Sequence, residues 1–170
     1  SKSDNDLKEM RLLFRLMNNQ KLVNIGNWLA LFSVKYRLPF ADKIIKRTLF
    51  KQFCGGTSIF ECQPKIDKLF QSSVATILDF GAEAKESESD FDKTLQEALK
   101  SIDFAASNAS VPIVSTKITG LGRFALLEKA QSEQELSERE EGELSRLKNC
   151  VHTLCEHARN RDVGIMIDAE

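Results

Sequence analysis

The spacing of apolar residues changes about a third of the way along the chain. In the first part, apolar positions recur every three or four residues with polar residues between them, as in amphipathic helices. The stripe comprises Leu7, Met10, Phe14, Met17, Leu22, Ile25, Trp28, Phe32 and Tyr36. Pro39 follows it, and proline is disfavoured inside a helix. Residues 1–48 are therefore predicted to form a helical arm.

Short apolar runs alternate with helical spacing over residues 49–170. The runs are LFKQFC (49–54), VATILDFG (74–81), VPIVSTKIT (111–119) and VGIMID (163–168). Each run is predicted to be a strand, and the almost continuously apolar VATIL is typical of a parallel strand covered on both faces. Because strands that alternate with helices build parallel sheets, the chain is predicted to be an α/β protein with about four βα units.

The composition fits an ordinary soluble globular domain, with 170 residues of which 42% are hydrophobic and 29% charged. The charge is uneven, because residues 1–51 hold 11 of the 24 Lys and Arg residues but only 4 of the 25 Asp and Glu residues. These basic residues form no dense run, so a solvated helix face explains them and no nucleic-acid binding is predicted. The most apolar stretch, LVNIGNWLALFSV (22–34), is too short to span a bilayer.

The cysteine spacing indicates no metal site. Cys54, Cys62, Cys150 and Cys155 include no CxxC pair. In the stretch CVHTLCEH, a helix would point Cys150 and His157 one way and His152 and Cys155 another, which disfavours zinc. The polar opening SKSDNDLKEM is unlike a signal peptide. Both observations favour reduced thiols in a cytosolic protein.

Polar residues or glycines stand at the carboxyl end of every predicted strand. They are Gly55 and Gly56 after the first strand, Asp79 and Glu83 after the second, Lys117 and Thr119 at the third, and Asp168 and Glu170 at the fourth. Parallel α/β sheets and barrels build their active sites at these ends. The series is therefore predicted to form an active-site rim.

Alternation along the strands brings three of these residues together. Lys117 shares a strand face with Ser115, since residues two apart point the same way. Neighbouring strands would place Lys117 between Asp79 and Asp168, where both carboxylates favour its charged form. Two interpretations stay open: a structural ion-pair network at the rim, and a functional site, which the cost of burying three charges slightly favours.

Four stretches resemble the proline dehydrogenase family, flavin enzymes with a (β/α)8 barrel. They are FKQFCGGTSIFEC (50–62), TILDFGAEAKES (76–87), STKITGLGRFALLEK (115–129) and GIMIDAE (164–170). The lysine on the third predicted strand, combined with the aspartate of IDAE on the fourth, is the most specific part of the match. With the helical arm, the resemblance covers essentially the whole chain.

The resemblance implies oxidation of L-proline to Δ1-pyrroline-5-carboxylate, with hydride passing to FAD and electrons onward to a quinone. By the same resemblance, Lys117 meets the proline carboxylate and Asp168 lies beside both substrate and flavin. Asp79 lines the same pocket, and Glu83 pairs with an arginine when the site closes. Most flavin-binding residues of the family belong to strands five to eight and the last helix, so the other FAD residues are expected outside this chain.

Residues 49–170 are accordingly predicted to be the first half of the barrel, preceded by the arm over 1–48. Alone, this half is predicted to be inactive. Electron transfer to a quinone implies membrane contact, for which the basic arm is the candidate. The expected location is cytoplasmic, peripheral on the inner membrane of a bacterium, or in the mitochondrial matrix of a eukaryote.

Two other functions are weighed against this one. A barrel lyase or aldolase would use Lys117 to form a Schiff base, but that chemistry needs a neutral amine, which flanking carboxylates disfavour. A non-enzymatic interaction module would bind a partner or lipid through the basic arm and use the βα units as a scaffold.

Overall fold

Helices α1 (Asp4–Met17) and α2 (Gln20–Lys35) occupy the arm in the computed structural model, which describes residues 3–36, 43, 46–82 and 86–168. Both helices lie where the apolar spacing predicts them. α1 begins with a capping box, in which Ser3 Oγ accepts from the Asp6 amide and the Asp6 carboxylate accepts from the Ser3 amide. The chain divides into two compact units, Ser1–Glu61 and Cys62–Glu170.

The first predicted strand, LFKQFC, is wrong, because Lys46–Phe50 forms a π-helical turn that continues into a short helix at Lys51–Phe53. Lys51 Nζ lies 2.8 Å from Asp6 Oδ1, and the Phe53 ring meets the Phe14 ring edge-on with centroids 6.1 Å apart. A helix satisfies its backbone hydrogen bonds internally, whereas a strand needs a neighbouring strand. The described part of the sheet therefore has three strands rather than four.

The second unit alternates strands and helices as predicted. Helix α3 (Ile59–Phe70) leads into it, and the elements that follow are β1 (Ile77–Asp79), α4 (Glu88–Ala106), β2 (Ile113–Lys117), a 3₁₀ turn (Ile118–Gly120), α5 (Phe124–Gln131), α6 (Glu138–Asn160) and β3 (Gly164–Asp168). The strands are all parallel and lie in the order β1-β2-β3. The chain is thus a mixed α/β protein with a small parallel sheet.

Helices α4 and α6 cover one face of this sheet. α4 packs against β2 and α6, and α6 packs against β3. Each fully buried aliphatic side chain in this core stabilises the fold by about 1.5–3 kcal/mol. The core includes Leu78 and Val114 from the strands, Phe91, Ala98, Ile102 and Ala105 from α4, and Leu147, Leu154 and Ala158 from α6.

An ion pair connects the start of α6 to the end of α5. Ser137 and Glu140 form a capping box, and Lys129 Nζ donates to Glu140 Oε2 at 2.7 Å. The hydrogen bond from Lys129, with those from Ser137, lowers the pKa of Glu140 to about 2. Its carboxylate therefore stays ionised at neutral pH and holds α5 beside the carboxyl end of the sheet.

The cysteines and histidines of α6 differ in their surroundings. Cys150 is buried in the core, and this burial raises the pKa of its thiol. His157 Nε2 lies 2.7 Å from Asp103 Oδ1 on α4. Among the described residues, no group of three or more His, Cys, Asp or Glu side chains is placed to hold a metal ion.

Within the described ranges, no helix combines the length and the apolar character that crossing a bilayer requires.

Candidate active site at the carboxyl ends of the strands

The register of the sheet brings Lys117 and Asp168 together. Their Cα atoms are direct partners across β2 and β3, and Lys117 Nζ lies 3.7 Å from Asp168 Oδ2. Both residues are the last of their strands, where the sheet gives way to loops. The predicted neighbourhood of a lysine and an aspartate at the rim is present in the fold.

Asp79 lies on the strand at the other side of Lys117. Its Cα partner is Ser115, two residues before Lys117, so it is set back by about 6.6 Å along the strand direction. Strand β2 lies between β1 and β3, which places Lys117 on the strand between those of Asp79 and Asp168. The predicted strand order is therefore present, with Asp79 one step deeper than the other two.

The ionisable residues point away from the helices. Leu78 and Val114 are buried on the helix-covered face, and they alternate along their strands with Asp79 and Ser115. By alternation, Asp79, Lys117 and Asp168 share the opposite face, which also carries the half-exposed Met166. A closed barrel has its interior on this opposite face, away from the covering helices.

The ion pair of Lys117 and Asp168 is loose. A separation of 3.7 Å is longer than a hydrogen bond, and the two side chains are 20% and 50% exposed respectively. Solvent screening at such exposure makes the pair's contribution to folding small.

Other residues of the predicted rim have different positions. Glu83 and Glu170 lie outside the described residues. Gly55 and Gly56 follow the helical turn that replaces the first predicted strand, so they do not end a strand of the described sheet. Thr119 is buried in the 3₁₀ turn directly after Lys117.

A cavity of about 660 Å³ adjoins Asp168, and no local sequence pattern predicted it. Its walls combine apolar and polar groups from the 3₁₀ turn, α5 and α6. The lining comprises Ile118, Thr119, Phe124, Leu127, Glu128, Ala130, Gln131, Leu144, Lys148 and Asp168.

Arg123, at the start of α5, is engaged with α6 rather than with the cavity. Its Nε and Nη2 donate to Glu143 Oε2 at 2.9 and 2.6 Å. The hydrogen bond to Glu143 raises the pKa of Arg123 above its ordinary value. This ion pair orients the loop that joins Lys117 to α5.

This chain is similar to proteins of one known family. The family model for proline dehydrogenase matches residues 62–170. Proline dehydrogenase 1, mitochondrial, from Dictyostelium discoideum is 34% identical over 124 residues, which cover 72% of this chain and 21% of that protein. The carbapenem antibiotics biosynthesis protein CarD from Pectobacterium carotovorum subsp. carotovorum is 28% identical over 142 residues, which cover 84% of this chain and 38% of that protein.

The chain thus spans well under half the length of the curated relatives it matches. The family match covers the whole of β1 to β3, with the helices between them, and includes Asp79, Lys117 and Asp168. The chain belongs to the proline dehydrogenase family.

Proposed function

We propose that this chain supplies the first half of a (β/α)8 barrel in an enzyme that oxidises L-proline to Δ1-pyrroline-5-carboxylate. The observation that carries the proposal is the pairing of Lys117 with Asp168 at one register position of a family-matched sheet. Ile77, Met166 and Ile167 are apolar strand residues whose side chains are exposed. They support the proposal of an incomplete barrel, because the open edges of a sheet need further strands to cover them. In this proposal residues 1–48 are the arm and 49–170 the barrel half, whose three described strands all lie in the compact unit Cys62–Glu170.

Lys117 and Asp168 have separate roles in this proposal. The Lys117 ammonium binds the proline carboxylate, with a charge-assisted hydrogen bond that fixes the orientation of the ring. Asp168 holds that ammonium from one side and borders the place where the ring reacts. Asp79 lines the same pocket, and we assign Glu83 the role of pairing with an arginine when the site closes. In the reaction, a ring carbon loses hydride and the ring nitrogen loses a proton as the C=N bond forms.

FAD is the cofactor we propose for the complete enzyme. When bound, it accepts the hydride, and the electrons pass on to a quinone. The cavity beside Asp168 has apolar walls at Phe124 and Leu127 that suit the edge of a flat ring. Lys148 is the single cationic residue among the described residues that line it, so this half offers little for a pyrophosphate. Most of the FAD contacts are therefore assigned to the rest of the barrel.

The 170-residue chain by itself is expected to lack stoichiometric flavin and to show no proline-dependent dye reduction. The physical reason is that, in this proposal, most of the FAD contacts and the strands that close the barrel lie outside these 170 residues. A flavin absorbance spectrum of the purified chain, before and after incubation with FAD and gel filtration, measures this. One FAD retained per chain would contradict the half-site proposal.

The Lys117–Asp168 pair disfavours the lyase alternative. An ammonium 3.7 Å from a carboxylate is stabilised in its charged form, whereas Schiff-base formation needs the neutral amine. Borohydride trapping of a carbonyl substrate on Lys117 would support the lyase instead.

The helical arm is our candidate for contact with a membrane, where a quinone would be reached. α2 contains no Asp or Glu. The Trp28 and Phe32 rings stack with centroids 5.5 Å apart, and the Tyr36 ring, just after the helix, is tilted against Phe32 at 4.5 Å. The Trp28 residue is 63% exposed. Exposed aromatic rings on a basic amphipathic helix suit the interface of an anionic bilayer.

The full-length protein is expected to sediment with vesicles that contain anionic lipid and to sediment much less with neutral vesicles. Replacing Lys21 and Lys35 by Gln should weaken the binding, because each basic residue near an anionic surface contributes about 1 kcal/mol. Replacing Lys100 and Lys148, outside the arm, provides the matched control. Equal sedimentation with both kinds of vesicle would remove the arm from this role.

A further inference from the structure

Arg146 on α6 contacts two segments that flank the candidate site. Its Nε lies 2.7 Å from Glu88 Oε2, and its Nη2 lies 2.5 Å from Asp92 Oδ1. Both carboxylates belong to the first two turns of α4. Nη1 donates to the carbonyl oxygen of Leu121 at 3.5 Å, in the loop after β2. One side chain therefore connects the start of α4 to the β2–α5 loop.

These two segments border the residues proposed to act on proline. Leu121 lies four residues after Lys117, and α4 begins five residues after Glu83. The start of α4 is defined by Ser87, whose Oγ accepts from the Asp90 amide at 3.2 Å. Arg146 is therefore placed to transmit the position of one loop to the other.

Gly120 shows how closely the two loops approach. A Cβ atom at Gly120 would overlap the carbonyl oxygen of Ala82, at the described end of the β1–α4 loop. Only glycine fits such an approach of backbone to backbone. The loops are in contact through Gly120 and Ala82. Arg146 adds a second connection, from Leu121 in one loop to the start of α4, which follows the other loop.

The contacts of Arg146 are better suited to fixing the position of the neighbouring segments than to raising the stability of the whole fold. Its side chain is 28% exposed, and its guanidinium lies over the Phe91 ring at 5.6 Å. The planar group bonds several acceptors in fixed directions, which lysine does not reproduce. Glu88 and Asp92 are mostly exposed, so their ion pairs add little to global stability. Loss of Arg146 is therefore expected to act locally.

We propose that Arg146 is a positioning residue, which sets the separation of the β1–α4 and β2–α5 loops so that Asp79 and Lys117, which directly precede these loops, meet one substrate. This inference rests on the proposed function for its substrate. Its structural part, the coupling of the two loops, stands on the contacts of Arg146 alone.

Hydrogen exchange on the full-length protein tests the structural part. Arg146→Gln is expected to speed exchange of amides 86–92 and 120–123 by about 10-fold, corresponding to the loss of roughly 1.4 kcal/mol of local stability. Arg139→Gln is the matched control, because Arg139 is on the same helix with its side chain 87% exposed. Asp92→Asn, which removes the negative charge but keeps a carbonyl oxygen that can accept from Arg146, should give a smaller change in the same amides. Unchanged exchange in Arg146→Gln, or equal changes in Arg139→Gln, would overturn the proposal.

Proline kinetics test the functional part. Arg146→Gln is expected to raise KM for proline by about 10-fold with a smaller change in kcat, since a shifted loop weakens substrate binding. In a Glu83→Gln background the same substitution should have little further effect, because the two changes act on one loop. Full additivity would mean that Arg146 acts independently of this loop and would overturn the functional part. If the wild-type protein does not oxidise proline, the proposed function fails, while the exchange result still decides the coupling of the loops.

Discussion

Replacement of Lys117 by methionine is expected to lower kcat/KM for proline by about 10- to 150-fold, mostly through a higher KM. Methionine keeps the length and the apolar stem of the side chain and removes its charge. A hydrogen bond to a charged partner contributes about 1.5–3 kcal/mol, which corresponds to this range. The measurement is steady-state dye reduction by the full-length protein over a series of proline concentrations.

Lys100→Met is the matched control for this substitution. Lys100 lies on α4 with its side chain 63% exposed, where it pairs with Glu97 three residues before it. The same chemical change there should leave kcat/KM within about twofold of wild type, because exposed pairs contribute little. A KM for proline that is unchanged in Lys117→Met would contradict the assigned role of Lys117.

The second large effect is expected from Asp168→Asn, with a loss in kcat/KM of about 100-fold that includes a fall in kcat. Asparagine keeps the shape of the side chain but removes the negative charge that orients the Lys117 ammonium 3.7 Å away. Asp168 is half exposed, so the melting temperature should change by no more than about 2 °C. Kinetics and thermal unfolding of the same full-length samples separate the two effects.

A double-mutant cycle decides whether the two residues act on one substrate. If they do, Lys117→Met combined with Asp168→Asn should lose much less activity than the product of the single losses. A strictly multiplicative result would contradict a shared site and would favour independent structural roles at the rim.

The later strands of the sheet could be predicted from the sequence because each signal is local. The runs VATILDFG, VPIVSTKIT and VGIMID contain β1, β2 and β3. The period of two along a strand was sufficient to place Lys117 and Asp168 on faces of their own strands. Their direct pairing depends on the register of β2 against β3, which arises between strands about 50 residues apart and which no local pattern encodes.

The first predicted strand shows where a local pattern has two solutions. Phe50 and Phe53 are three residues apart, a spacing that fits a helix as well as an irregular strand. The contacts of Lys51 with Asp6 and of Phe53 with Phe14 favour the helical form, and both partners lie about 40 residues away in the sequence. Arg146 was missed for the same reason, since Asp92 is 54 residues away along the chain.

We propose that this chain carries half of a proline-oxidising site centred on Lys117 and Asp168. The most direct measurement is proline-dependent dye reduction by the flavin-loaded full-length protein, with each of the two variants assayed beside it. We predict turnover by the wild type that depends on proline, and loss of most of it in both Lys117→Met and Asp168→Asn. No proline-dependent turnover by the wild type, or variants as active as the wild type, would contradict the claim.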